Sequence, residues 1–283
     1  MSSTQFTPIS KAKTLYQSGN LTEAIKELIQ EVKNNPTDNW RRTFLFELLC
    51  FNGEWERAER QLKGLLVTGA NAEIGLLVYS NNIKAEIARD KLFSSGLAPE
   101  FLLSPPSYIY LQLEAIKQLE EKNYSQARKL LDELTEKQPS LKGKINGKKF
   151  NSFTDYNDFF ACSLEVFLQD KYFWVPFEHI ESLEVQSPKG LRDLIWTKAI
   201  IKLTNGTIAE VFLPALYANS YKHENELVRL GRMTDWQSLP EQLYIGYGLR
   251  TFLSDSKEKT LFEISSLTFD HSEKKEKTQC QEH

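Results

Sequence analysis

One internal repeat constrains this chain more than any other feature. Gly19-Asn20-Leu21-Thr22-Glu23-Ala24 returns as Gly53-Glu54-Trp55-Glu56-Arg57-Ala58, an offset of 34 residues that also relates Leu28 to Leu62. A period of about 34 residues marks paired-helix units, which bury their apolar faces only by stacking on neighbours. A degenerate third copy, Asn123-Tyr124-Ser125-Gln126-Ala127 followed by Leu131, lies one residue beyond two further periods. Each position has a physical role. Glycine ends the first helix because it tolerates a left-handed C′ conformation. The alanine lets two helices approach, and the large residue after the turn (Leu21, Trp55, Tyr124) packs between them. Pro36 and Pro139 follow their repeat alanines by 12 residues, where proline stops the second helix.

The pattern predicts helices over Ser10–Ser18, Leu21–Lys33, Trp40–Phe51 (capped by Thr37 or Asp38), Trp55–Leu65, Ala72–Phe93, Tyr108–Glu121 and Ser125–Glu136. In the long fifth helix the apolar positions are Ile74, Leu77, Val78, Ile83 and Ile87. A loop with Pro99, Pro105 and Pro106 interrupts the stack. Two clear units and one displaced copy resemble a short tetratricopeptide-type array. In that register Leu45, Phe46 and Leu49 face the core, while Tyr16, Trp40, Glu47 and Phe51 line a concave face suited to a partner helix. The competing reading places those aromatics in the core, where apolar residues mostly lie, or under the second domain.

The period changes near Pro139. A lysine-rich linker, with Lys137, Lys142, Lys144, Lys148 and Lys149, leads into a strand at Lys144–Phe150 that turns at Asn146-Gly147. Leu164–Leu168 and Tyr172–Val175 flank Gln169-Asp170-Lys171. Ser182–Val185 is a further strand, and Ala199–Leu203 and Ile208–Leu213 flank Asn205-Gly206, the strongest hairpin signal. Late strands are predicted at Leu249–Leu253 and Leu261–Leu267. The expected fold class is therefore α+β and multidomain: helical repeats followed by a small antiparallel β-rich, barrel-like domain. The expected divisions are a repeat domain at 1–138, a linker and first strand at 139–150, a β-rich domain at 151–270 and a disordered tail at 271–283.

The formal net charge of −3 argues against a nucleic-acid or membrane-surface binder, which uses a strong basic field. Cys50, Cys162 and Cys280 fit neither a disulfide framework nor a zinc site, and read as free thiols in a reducing compartment. The first residues lack a signal-peptide core, and no run reaches the roughly 20 apolar residues of a membrane span. The expectation is a soluble, cytoplasmic chain. The four histidines form no metal-ligand set, and no nucleophile elbow, phosphate loop or dinucleotide fingerprint occurs, so neither catalytic residues nor a cofactor is expected. One constellation stands out. Arg192, Arg232 and Arg250, with Asp193 and Asp235, lie beside apolar residues. Guanidinium forks bind carboxylates bidentately, so the group reads either as an anion site or, preferably, as an internal network holding irregular loops to the sheet.

Several stretches together carry a family likeness. They are Phe44-Leu45-Phe46-Glu47-Leu48-Leu49-Cys50-Phe51 with Gly53–Leu62, Tyr172-Phe173-Trp174-Val175-Pro176-Phe177-Glu178-His179-Ile180, Leu191-Arg192-Asp193-Leu194-Ile195-Trp196, Val211–Tyr217, Arg229-Leu230-Gly231-Arg232 with Thr234-Asp235-Trp236, and Gly248-Leu249-Arg250-Thr251-Phe252. In this order the chain resembles the ImpE/TagJ family of type VI secretion accessory proteins. It departs at Lys189-Gly190 and Tyr247, both peripheral. The resemblance implies a non-enzymatic cytoplasmic adaptor. Its implied partner is the small contractile-sheath subunit, bound by that subunit's N-terminal helix. It also implies a bearing on sheath assembly or on disassembly by the dedicated AAA+ ATPase.

Overall fold

The computed structural model of the chain describes residues 10–66 and 69–271. Gly19 and Gly53 take positive φ, 88° and 69°, and each closes one helix so that the next can fold back. The helices are α1 (Lys11–Gln17), α2 (Leu21–Asn34), α3 (Asn39–Phe51), α4 (Trp55–Lys63), α5 (Ala70–Ser95), α6 (Tyr108–Glu120) and α7 (Tyr124–Lys137). Asp38 caps α3 by accepting from the Arg41 amide at 3.1 Å. The pairs α1/α2, α3/α4 and α6/α7 pack together, with Ala24, Ala58 and Ala127 fully buried. In α5, Ile83 is buried, whereas Ile74 and Leu77 are 58% and 59% exposed. The expected stripe is therefore only half used.

The proline loop contributes to the sheet. Glu100–Phe101 forms a short strand, β1, parallel to Phe173 and Trp174. The later strands are β2 (Gly143–Ile145), β3 (Lys148–Phe150), β4 (Phe153–Asp155), β5 (Ser163–Leu168), β6 (Lys171–Pro176), β7 (Ile180–Val185), β8 (Trp196–Leu203) and β9 (Ile208–Pro214). After a one-turn helix, α8 (Glu226–Arg229), come β10 (Thr234–Leu239), β11 (Leu243–Gly248), β12 (Thr251–Ser254), β13 (Lys257–Thr260) and β14 (Ser266–Phe269). Nine strands form one sheet in the order β1-β6-β5-β9-β8-β7-β14-β2-β3. A second sheet, β13-β12-β4, and the β10/β11 hairpin complete the region.

Alternation along the strands gives the large sheet two different faces. One carries Phe167, Tyr172, Trp174 and Trp196, which join the core of the helices. The other carries Leu164, Val166, Val175, Ile201 and Leu213, which form a separate core with Phe153 and Phe252 of the small sheet. Both strands of the β5/β6 hairpin are thus buried on each side, which explains their nearly continuous apolar sequence.

Two expectations need correction, and one hairpin was missed. The large sheet is open and not barrel-like: β1 pairs only with β6 and β3 only with β2, so its edges do not meet. Leu261–Leu267 is not one strand. Leu261–Glu263 is a 3₁₀ turn, its first amide bonds met by the Glu263 carboxylate on Thr260, and pairing resumes at Ser266. The β10/β11 hairpin was not predicted, because β10 is mostly polar and β11 is broken by Gly246 and ends on Gly248. The expected tail lies outside the described residues beyond His271.

The repeat glycines also touch the C-terminal region. A Cβ on Gly53 would lie 2.3 Å from the Tyr221 ring, and one on Gly19 2.5 Å from the tip of Leu227. Gly53→Ala is therefore expected to cost about 1–3 kcal/mol from backbone strain alone, with the ring clash in addition. Gly19→Ala should cost less, because a leucine methyl can swing aside. Urea midpoints of the two variants check the order.

Candidate functional site

The most distinctive chemistry of the molecule lies buried where α5 crosses the large sheet. Arg89, on the inner face of α5, makes a two-point contact with the Glu165 carboxylate of β5, Nε to Oε1 and Nη2 to Oε2, both 2.7 Å. Arg250, just before β12, donates to the same carboxylate from the opposite side and to Asp155 at 2.7 Å. Tyr172 donates its hydroxyl to Glu165 at 2.5 Å, and Trp174 Nε1 donates to that hydroxyl at 2.5 Å. Tyr217 donates to Asp155 at 2.9 Å. Trp196 Nε1 donates to Glu86 Oε1 at 3.0 Å, and Glu86 lies 3.4 Å from Arg89. Arg89, Glu165, Asp155 and Arg250 are each at most 3% exposed.

The carboxylates differ in charge preference. Burial would raise Glu165, but Arg89 and Arg250 reverse this and hold it below its ordinary value. Burial dominates at Glu86, lifting it to about 7 against the pull of Arg89, and at Asp155, lifting it to about 6 against Arg250. Burial likewise lifts Glu47 to about 7, opposed by Arg192. Anions are thus fixed at Glu165 and only weakly favoured around it.

The arginines singled out in the sequence do not converge. Arg192 pairs with Glu47 at 3.1 Å and lies over the Tyr79 ring at 4.5 Å. Arg232 donates to the carbonyls of Tyr16 and Gln17 at 2.8 and 2.9 Å and lies over the Tyr16 ring. Only Arg250 enters the buried cluster. Asp193 accepts from the amides of Lys189 and Gly190, and Asp235 contacts His223 at 3.1 Å. The expected arginine–aspartate network among these five is therefore replaced by separate contacts, and all three arginines clamp the β-rich region internally or onto the helices. Of the expected concave residues, Glu47 and Phe51 are buried at 8% and 1% exposure, Tyr16 is half-buried under Arg232, and Trp40 is exposed. Phe51 and Glu47 are closed to a partner because neighbouring elements already cover them.

Sequence reasoning missed Arg89, Glu86, Asp155 and Glu165. A signal existed for two of them. Glu165 interrupts an otherwise apolar strand run, and Arg89 shares the helical stripe of Ala85 and Leu92. Among the described residues, no group of three or more His, Cys, Asp or Glu side chains is placed to hold a metal. Cys50 and Cys162 are free thiols, both buried. No helix among them is long and apolar enough to cross a membrane.

The chain is similar to known proteins over most of its length. The family described as ImpE protein matches residues 147–268. The type VI secretion system accessory component TagJ of Pseudomonas aeruginosa is 34% identical over 259 residues, covering 92% of this chain and 91% of that protein. A crystal structure of protein VPA1032 from Vibrio parahaemolyticus superposes with a TM-score of 0.84 at 25% identity, covering 92% of this chain and 97% of that one.

The buried cluster predicts two opposite mutational outcomes. Glu165→Gln leaves two buried guanidinium groups short of an anion and should cost about 3–5 kcal/mol. Glu86 and Glu47 are raised from 4.5 to about 7, so their stabilising contribution is full below pH 4.5 and lost as pH rises through 7. Glu86→Gln keeps the acceptor for Trp196 while removing that titration. It should flatten the fall in thermal midpoint between pH 5 and 8 and be at least as stable as the parent at pH 8, as read by scanning fluorimetry across that range.

Proposed function

The chain belongs to the ImpE/TagJ family, and from that premise we propose that it is a non-enzymatic accessory component of a bacterial type VI secretion system. Within that system it acts in the cytoplasm as an adaptor for the contractile sheath. It binds the small sheath subunit through that subunit's N-terminal helix, and so bears on sheath assembly or on disassembly by the AAA+ ATPase. The observation that carries the accessory-component reading is 34% identity to TagJ over nearly the whole of both chains, helices and sheet alike.

The physical character of the molecule supports it. The titratable groups with the most altered environments are engaged with one another and are shut from solvent, which suits a structural clamp better than a reaction centre. Helix-in-groove recognition requires a rigid host, and clamped helices provide one.

Co-purification checks the reading. The full chain is expected to retain the small sheath subunit and to lose it when that subunit's first helix is deleted. Equal retention of the truncated subunit would sink the helix version, and retention of neither form would sink the adaptor reading.

A further inference from the structure

Helix α5 covers only part of the sheet face that it crosses. Its second half lies over β5 and β6, where Phe167, Tyr172 and Trp174 are buried. Beyond them the same face continues through Lys198, Ile200 and Lys202 of β8 and Ile208 and Glu210 of β9 without a helix over it. Ile208 is 65% exposed. Alongside, the first half of α5 presents Ile74 and Leu77 to solvent, an i, i+3 pair on one helical stripe. Between the two runs a groove with a cavity of about 340 Å³, lined by Val78, Asn82, Phe167, Lys198, Glu210 and Phe212 among others.

Two features of this groove call for an occupant. The first is Asn82. It is 1% exposed, and its Nδ2 has no hydrogen-bond partner. A buried donor left unpaired is costly, and here it lies on the wall of an open groove of mixed lining, with Asn81, Gln169 and Gln186 beside Val78 and Phe212. The second is charge. Lys198 and Glu210 stand exposed at the mouth on neighbouring strands, and neither makes an ion pair among the described residues. The apolar side chains of Val78 and Phe212, flanked by a cation and an anion that make no ion pair, are complementary to an amphipathic helix with opposite charges beside its apolar stripe. The run Ala70–Asn81, none of it fully buried, spans roughly 18 Å of helix, room for about three turns alongside.

We propose that this groove, between the first half of α5 and the open part of β8 and β9, holds an amphipathic helix of a partner protein. Its apolar face covers Ile74, Leu77, Val78 and Phe212, and it presents an acceptor to Asn82 Nδ2. The proposal deepens the adaptor reading and rests on it, the occupant being the small sheath subunit's helix. It moves that helix away from the half-closed surface around Tyr16 and Phe51.

Titration calorimetry of the full chain with the purified small sheath subunit tests it. Leu77→Asp changes an exposed residue, so its thermal midpoint should match the parent while affinity drops at least about tenfold. Asn82→Leu keeps the volume and deletes the unpaired donor. It should raise the thermal midpoint of the free chain and weaken binding by several-fold. Trp40→Asp should leave affinity within about twofold. If the parent binds and Leu77→Asp binds equally well, the groove is overturned while the adaptor reading stands. Unchanged binding by Asn82→Leu overturns the placement of the helix over that residue. A change in mass by light scattering on Leu77→Asp, without a change in affinity, marks a contact between copies of this chain and overturns the proposal. Failure of the parent to bind overturns the adaptor reading and the proposal with it.

Discussion

Glu165 is the residue on which the rest of the architecture depends. A carboxylate buried this deeply keeps its charge only if cations and donors replace its hydration. Its two oxygens are met by Arg89 from a helix, Arg250 from the far end of the sheet region, and Tyr172 from the next strand. No subset suffices, because without Glu165 Arg250 would keep only Asp155 and Arg89 only Glu86, two carboxylates whose charge burial disfavours. The helices and the sheet must therefore seat together or not at all. The surrounding apolar core, which mixes Phe46, Tyr79, Trp174 and Trp196 from both regions, supplies the driving force, and the charges supply the register.

Around this centre the contacts between the regions use the ends of secondary-structure elements. Arg232 reaches the last carbonyls of α1, where α-helices leave acceptors unpaired. Arg229 donates to Asn52 at the end of α3, and Glu226 accepts from the first turn of α2. Asp90 accepts from Trp55 at 2.8 Å and from Tyr221 at 3.2 Å, binding two helices and a loop to one carboxylate. The turns of the repeat are in this sense docking points, and a glycine there serves both the backbone and the close approach.

The helical half was legible because its signals are local: a fixed period, glycine turns, and small residues at crossings. Hairpins at Asn146-Gly147 and Asn205-Gly206 were legible for the same reason. The openness of the sheet was not, since strand order depends on which distant strand β14 joins, and no short-range pattern encodes that. The charged cluster was half-visible. Arg250 was noticed beside apolar neighbours, but its partners lie 85 and 95 positions earlier, and proximity in sequence suggested Asp235 instead. Glu47 and Phe51 sit where the repeat register expects an open face. The β-rich region and the helices around them close that face, the alternative in which the core or the second domain covers these residues.

The position of β14 has a consequence for how the molecule comes into being. This strand, among the final elements, lies between β7 and β2, so the sheet is in two pieces until it arrives. Arg250 likewise comes late, long after Arg89 and Glu165 have been made. A ribosome delivers residues in order, and pairings of large sequence separation wait for the later member. The strands that carry Trp174 and Trp196 can therefore seat on the helices first, with Arg89 already on Glu165, while β2 and β3 wait for β14 to join them to the rest of the sheet.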